Sequence, residues 1–235
     1  MLKQKATLGL EQVLELNDGP WRWWVGMQAG LAMGVPLGLF SVLGYPLQGL
    51  MASLGAFTGL FCAAMARKHR ARVLPFLAVG FVAAAFLGVI CAGNAWLNFA
   101  FLVAVSGAAS VLALGYGIGP PGPLMFVLVY AISGRIYLRQ HLHQEQLGLF
   151  YLPLLVLAGA VLAYVVVISP LISPTVRRRE TSAGDLQAPR SFALTPEAGW
   201  VTVRIVAGAV VAALAGMALG IDRTYWVVIS ALAVL

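Results

Sequence analysis

The sequence predicts an all-α fold, a polytopic transmembrane helical bundle made of a six-span half followed by an incomplete second repeat. Three observations carry this reading. Of 235 residues, 61% are hydrophobic and only 10% are charged, whereas a soluble domain carries about 25% charged residues. The hydrophobicity is gathered into runs. Val73 to Ile90 reads VLPFLAVGFVAAAFLGVI, without a charge, hydroxyl, amide or imidazole, and a helix of roughly 20 such residues crosses a bilayer core. The third observation is a repeat: Gly26, Gly30, Gly34 and Gly38 recur every four residues, and Gly208, Ala212, Gly216 and Gly220 keep the same rhythm.

Along the chain, residues 1–22 are polar and mixed in charge, an N-terminal cytoplasmic or interfacial segment without the apolar stretch of a signal peptide. Leu10, Val13 and Leu14 can line one face of a short surface helix, which Asn17-Asp18-Gly19-Pro20 would end. Spans are expected at about Trp23 to Leu43, Leu47 to Met65, Val73 to Ile90, Ala95 to Leu114, Leu124 to Tyr137, Leu147 to Ile168 and Val201 to Leu219, with an eighth starting near Tyr225. Reversals fall at Gly44-Tyr45-Pro46, Gly93-Asn94, the run GIGPPGP from Gly117 to Pro123, and Gly220-Ile221-Asp222, all rich in turn formers. The first membrane repeat therefore occupies 23–172. A polar linker at 173–199, with Pro, Ser and charges of both signs, separates it from the start of the second repeat at 200–235.

The net charge of +7 follows membrane topology, and no nucleic acid partner is expected. With the N-terminus cytoplasmic, the inner side holds Lys3, Lys5, Arg22, Arg67, Lys68, Arg70, Arg72, Arg177, Arg178, Arg179, Arg190 and Arg204, and the outer side holds only Arg135, Arg139 and Arg223. Such a bias orients a multi-pass chain with its basic loops inside. Trp21, Trp23, Trp24, Trp96, Trp200 and Trp226 fall near span ends, where an indole suits the headgroup zone. A shift of 178 residues lays Ala29-Gly30 on Ala207-Gly208, Gly34 on Ala212 and Gly38 on Gly216. Small residues at that spacing, here Gly26, Gly30, Gly34, Gly38, Gly208, Ala212 and Gly216, form a groove that another backbone can approach; a homo-oligomer is among the partners this allows. Leu235 falls within the apolar run VVISALAVL, where a terminal carboxylate would be costly, so a longer second repeat is expected.

Gly26 to Phe57, GMQAGLAMGVPLGLFSVLGYPLQGLMASLGAF, and Arg204 to Leu235, RIVAGAVVAALAGMALGIDRTYWVVISALAVL, each place a small-residue helix before a short turn and a second helix that opens on an aromatic or proline region. With the six-span organisation, they resemble the fusaric acid resistance protein-like family, the aromatic acid exporter group of bacterial inner membranes. The 173–199 linker is far shorter than the cytoplasmic insertion of many relatives. The resemblance implies efflux of small aromatic or hydroxylated aromatic carboxylic acids, driven by the proton gradient.

Chemistry-bearing residues are sparse. All eight acids, Glu11, Glu15, Asp18, Glu145, Glu180, Asp185, Glu197 and Asp222, lie in a terminus or loop, so no buried proton relay is visible. His141 and His143 with Glu145 lack the same-face spacing and the further ligands of a metal site. His69 sits in the basic cluster ARKHRAR, suited to topology and anionic lipid. Ser106, Ser110 and Ser133 have no paired base and are expected to bond helix carbonyls or cross-helix groups. Gln28, Asn98 and Thr58 need partners within apolar surroundings and read as helix glue, with lining of a substrate path as the alternative; Cys62 and Cys91 read as packing residues. No catalytic residue, cofactor or metal is expected, and the chain does not read as an enzyme.

The expected substrate segment lies between spans four and five. Only eleven residues, Leu124 to Gly134, precede Arg135, about 16 Å of helix against a core of roughly 30 Å, so span five should be shortened or broken. The preceding GYGIGPPGP cannot continue a regular helix, and interrupted helices mark binding sites in carriers. A helix starting near Pro123 would point free amides at an anion. Tyr116, Pro120, Pro121, Gly122, Tyr130, Arg135 and Arg204 are the candidate substrate-binding residues. The competing reading is a plain loop, with Arg135 and Arg204 snorkelling to the interface. For the whole chain, the alternative to a carrier is a membrane-embedded structural or accessory subunit.

Overall fold

A computed structural model of the chain describes residues 23–63, 65–119, 121–142, 148–173, 191–220 and 224–234. Eight α-helices lie among the described residues: α1 Trp23–Val42, α2 Pro46–Ala56, α3 Arg67–Cys91, α4 Ala95–Gly115, α5 Leu124–Leu142, α6 Tyr151–Ile168, α7 Pro196–Ala218 and α8 Thr224–Val234. Short 3-10 turns, Phe57–Leu60 and Ser169–Ile172, extend α2 and α6. The protein is an all-α helical membrane protein. Among the described residues, four stretches are long and apolar enough to cross a membrane: Arg67–Cys91, Ala95–Gly115, Tyr151–Ile172 and Pro196–Ala218. The surface segment expected at 1–22, and most of the 173–199 linker, lie outside the described residues, as do His143, Glu145 and Asp222.

The helices pack in an order unlike their order in sequence. α1 and α2 form a hairpin seated on α6; α6 packs on α3, α3 on α5, and α5 on α4; α4 then receives the hairpin of α7 and α8. Two crossings are close enough to exclude any side chain. A Cβ on Gly55 would overlap the carbonyl of Val156, and one on Gly159 the carbonyl of Ala52, which locks α2 against α6. Gly88 and Gly134 do the same for α3 and α5, against the carbonyls of Tyr130 and Gly88 respectively. Close backbone approach gives these helices van der Waals contact without a hydrophobic driving force.

Several expected boundaries move. The second span, expected to reach Met65, leaves the α form at Ala56 and tightens into the 3-10 turn Phe57–Leu60. Thr58 Oγ1 donates to the Gly55 carbonyl at 3.0 Å, and the buried Arg70 guanidinium donates to the Gly59 carbonyl, satisfying acceptors that a longer helix would have used. Cys62 follows in a left-handed conformation, φ 55°, which a continuing helix does not allow. α3 starts six residues before the expected Val73, taking the basic cluster into its first turns. α7 begins at Pro196, where Thr195 Oγ1 accepts from the Ala198 amide at 3.2 Å, a regular N-cap with Pro in the first turn.

The expectation for span five is corrected outright. α5 is neither shortened nor broken at Arg135: its 19 residues run from Leu124 to Leu142, about 28 Å at 1.5 Å per residue. Arg135 projects from an exposed face of it, so the helix need not deform to accommodate the charge. The irregular backbone lies earlier, at Gly117, Gly119 and Gly122, with φ of 61°, 74° and 62°.

Candidate functional site

Two cavities flank the α3–α4–α5 group at its opposite ends. α3 and α4 are consecutive, joined by the tight turn at Ala92–Asn94, yet they touch each other sparingly because each leans on α5. The gap between them is an apolar cavity of about 700 Å³, within the usual size of small-molecule pockets. Its walls come from α3 at Phe76, Gly80 and Ala83 and from α4 at Ala108 and Leu112, and Phe126 of α5 forms the back. Phe126 is held edge-on to Phe81 and Phe61, with ring centroids 4.7 and 5.8 Å away, and Gly80 leaves it room: a Cβ there would come within 2.8 Å of the ring.

The polar groups of this cavity gather at one end. Arg72, in the second turn of α3, and Tyr116, just past the end of α4, both line it. Because α3 and α4 are antiparallel, these residues share the end away from the Ala92–Asn94 turn. Arg72 is exposed there, and so is Tyr116, whose ring meets Phe192 edge-on at 5.3 Å. The Ala193 amide donates to the Gly115 carbonyl at 2.9 Å, tying the last linker residues to the mouth. Cys62 closes the floor, with Sγ 3.8 Å from the Ile118 carbonyl.

At the other end lies a smaller chamber of about 180 Å³, where α4, α5, α7 and α8 converge on the α3–α4 turn. Asn98, Arg135, Thr224 and Tyr225 supply its polar edge, and Ala131 and Ala213 belong to its apolar wall. Tyr130 lies behind it, buried, with its hydroxyl 2.9 Å from Asn98 Oδ1 and 3.0 Å from the Asn98 carbonyl.

The sequence candidates are therefore distributed, not gathered. Tyr116 belongs to the larger cavity and Arg135 to the smaller one. Gly122 and Arg135 are separated by thirteen residues of chain, most of it α5, so roughly 20 Å divides them. Pro121 and Gly122 line neither cavity, and Pro120 lies outside the described residues. The Tyr130 ring is walled into the core, where its hydroxyl anchors α5 to α4 and offers no stacking surface. Arg204 is exposed on α7 away from both cavities.

Sequence reasoning missed Arg72, Phe76 and Phe126. In the sequence Arg72 is one of a basic cluster whose evident role is topology. Its spacing of four from Phe76 and eight from Gly80 puts the three on one helix face, and that was the available clue.

The remaining polar residues on the helices serve local needs or stand alone. Ser106, Ser110 and Ser133 each donate to the carbonyl four residues back, at 2.7, 2.6 and 2.6 Å, as expected of hydroxyls in apolar helices. Gln28 is buried on α1, and its Nε2 has no hydrogen-bond partner among the described residues. Cys62 and Cys91 are buried thiols. Among the described residues no cluster of His, Cys, Asp or Glu has the arrangement of a metal site.

No family model matches the chain, and no solved structure matches it. Among curated proteins it is similar to the "Uncharacterized membrane protein YvaC" of Bacillus subtilis (strain 168), 28% identical over 124 residues that make up 53% of this chain and 20% of the relative. The matched part spans about a fifth of that relative's length. The likeness joins the apolar helices in marking the chain as a membrane protein.

Proposed function

We propose that the chain is the membrane part of an exporter of small aromatic carboxylates in a bacterial inner membrane, with its N-terminus cytoplasmic and the larger cavity as its loading site. The observation that carries this reading is the cavity between α3 and α4, apolar along its length and ending on Arg72 and Tyr116. An aromatic ring fits against Phe126 and Phe76, while a guanidinium offers a planar fork of N–H donors matched to a carboxylate. Arg72 lies in the cluster that positive-inside bias assigns to the cytoplasmic face, so the mouth opens where a substrate for export would be collected. The aromatic acid itself comes from the family resemblance of the two hairpins. The role is a carrier's, with no bond made or broken in the substrate.

A second reading, an accessory membrane subunit without transport of its own, is favoured by one observation. Among the described residues the sole acid is Glu197, in the first turn of α7, so the described helices hold no carboxylate relay for protons. Efflux of benzoate from loaded cells separates the two. Arg72→Gln should lower it about tenfold at equal membrane abundance, the loss of one charge-assisted hydrogen bond of about 1.5 kcal/mol, and Tyr116→Ala should lower it less. Efflux that is absent with the native chain, or untouched by both changes, would favour the accessory subunit.

A further inference from the structure

We propose that the smaller chamber is a second anion site, which holds a single-ring aromatic carboxylate at the end of the bundle opposite the loading cavity. Size is the first argument. A cavity of about 150 Å³ lined by apolar side chains accepts benzene, and this one offers about 180 Å³. It has space for a ring with one small substituent and little more.

The wall chemistry sorts into two sides. Ala131, Ala213 and Leu102 present methyl and methylene surface to the ring face. The opposite edge carries Arg135, which has no ion-pair partner among the described residues, and Asn98. The Tyr130 hydroxyl, a donor at 2.9 Å, occupies the Asn98 amide oxygen and leaves the Nδ2 hydrogens for a ligand. A guanidinium and an amide N–H beside an apolar slot select an oxyanion on a ring over a neutral molecule. No acid among the described residues lines the chamber. Glu197 sits sixteen residues before Ala213 on the same helix, about 24 Å away.

Ownership is the second argument. α4 and α5 of the first repeat supply one half of the chamber, and α7 and α8, the start of the second repeat, supply the other through Ala213, Met217, Thr224 and Tyr225. Neither repeat encloses the space alone. The chamber thus gives the duplicated hairpin a role in ligand handling as well as in packing, and Tyr130, buried between the two cavities, separates a loading end from a release end. The choice of probe rests on the export reading; the chamber itself does not.

A phospholipid headgroup presents the same anionic oxygen chemistry to Arg135, so the test must separate the two sources. The full chain carrying Cys62→Ala, Cys91→Ala and Ala95→Cys, which puts a thiol on the chamber wall, is placed in nanodiscs of phosphatidylcholine with or without phosphatidylglycerol. Its rate of modification by a maleimide is then followed. Benzoate should slow labelling at least fivefold in both lipids, and methyl benzoate should not. Arg135→Gln should abolish protection, Arg135→Lys should keep part of it, and Arg72→Gln should leave it intact. Protection that survives Arg135→Gln, that is lost in Arg72→Gln, or that comes from phosphatidylglycerol and not from benzoate would overturn the proposal. Normal efflux without protection would remove the chamber and leave the exporter; protection without efflux would do the reverse.

Discussion

The two hairpins, α1–α2 and α7–α8, share a sequence rhythm and dock in opposite ways. The 178-residue shift that aligns their small residues also lays the Pro46 start of α2 on the Thr224 start of α8. Each hairpin turns on a glycine with positive φ, Gly44 at 85° and Gly220 at 63°. The first hairpin is anchored by its short second helix, α2, through the Gly55 and Gly159 crossing on α6. Its long helix turns the column Gly26, Gly30, Gly34 and Gly38 toward open space, and a Cβ on any of the four would meet nothing within 4 Å.

The second hairpin is anchored by its long helix. α7 packs on α4 and on α8, with Ala209, Ala212, Ala213 and Gly216 buried, Gly208 half-buried, Gly216 set against Thr224 of α8, and Gly107 of α4 giving space to Val206 at 3.2 Å. A column of small residues permits close approach, but a partner must be present to use it. In the described chain the α7 column has one and the α1 column does not.

The largest effect should come from the anchor of the first hairpin. Gly159→Val would drive its Cβ into the Ala52 carbonyl, a backbone atom that cannot rotate away. Overpacking typically costs about 1–3 kcal/mol and more where backbone must move, so the upper end or beyond is expected. Thermal unfolding of the purified chain in detergent reads this, with loss of a cooperative transition as the expected result. An unchanged transition would mean that α2 and α6 are not in contact.

An intermediate effect belongs to the second hairpin. Ala212→Leu adds three carbons on the buried face of α7, which packs on both α4 and α8, and should cost about 1–3 kcal/mol. Because α7 also walls the smaller chamber, benzoate protection at that chamber should weaken in the same variant. Destabilisation without any change in protection would mean that the hairpin can shift as a unit without opening the space it encloses.

Legibility in the sequence followed the same division between local pattern and partner. The helices and reversals were readable because apolar runs and turn formers act within a few residues: Gly44, Gly117, Gly119, Gly122 and Gly220 all take the positive φ that their turns require. The packing glycines were not readable. Gly55, Gly88, Gly134 and Gly159 are isolated in sequence and matter because of a carbonyl on a distant helix, whereas the regular α1 column drew attention through its spacing alone. Arg135 misled for a related reason: a charge in an apolar run looks like an interruption until the helix is seen to present it to a chamber. Arg70 and Arg72 stand two residues apart in one basic cluster. One is buried on the Gly59 carbonyl and the other lines the larger cavity between α3 and α4.

The smallest effect should come from Gly30→Leu, and it decides whether the two columns differ as described. Spacing alone would assign it the same overpacking cost as Ala212→Leu, since the two positions stand in corresponding columns. Geometry assigns it almost none: Gly30 is exposed, its Cβ direction is open, and Leu is a better helix former than Gly by up to about 1 kcal/mol. In the purified chain Gly30→Leu should therefore shift unfolding by no more than about 0.5 kcal/mol in the destabilising direction, and Met33→Leu, a volume-conserving change on the partly buried side of α1, should be mild as well. A cost for Gly30→Leu equal to that of Ala212→Leu would mean that the α1 column is covered in the membrane by a helix from outside the described residues. Repeating the measurement across protein concentration would then tell whether that helix belongs to a second copy, because only a cost that fades on dilution requires one.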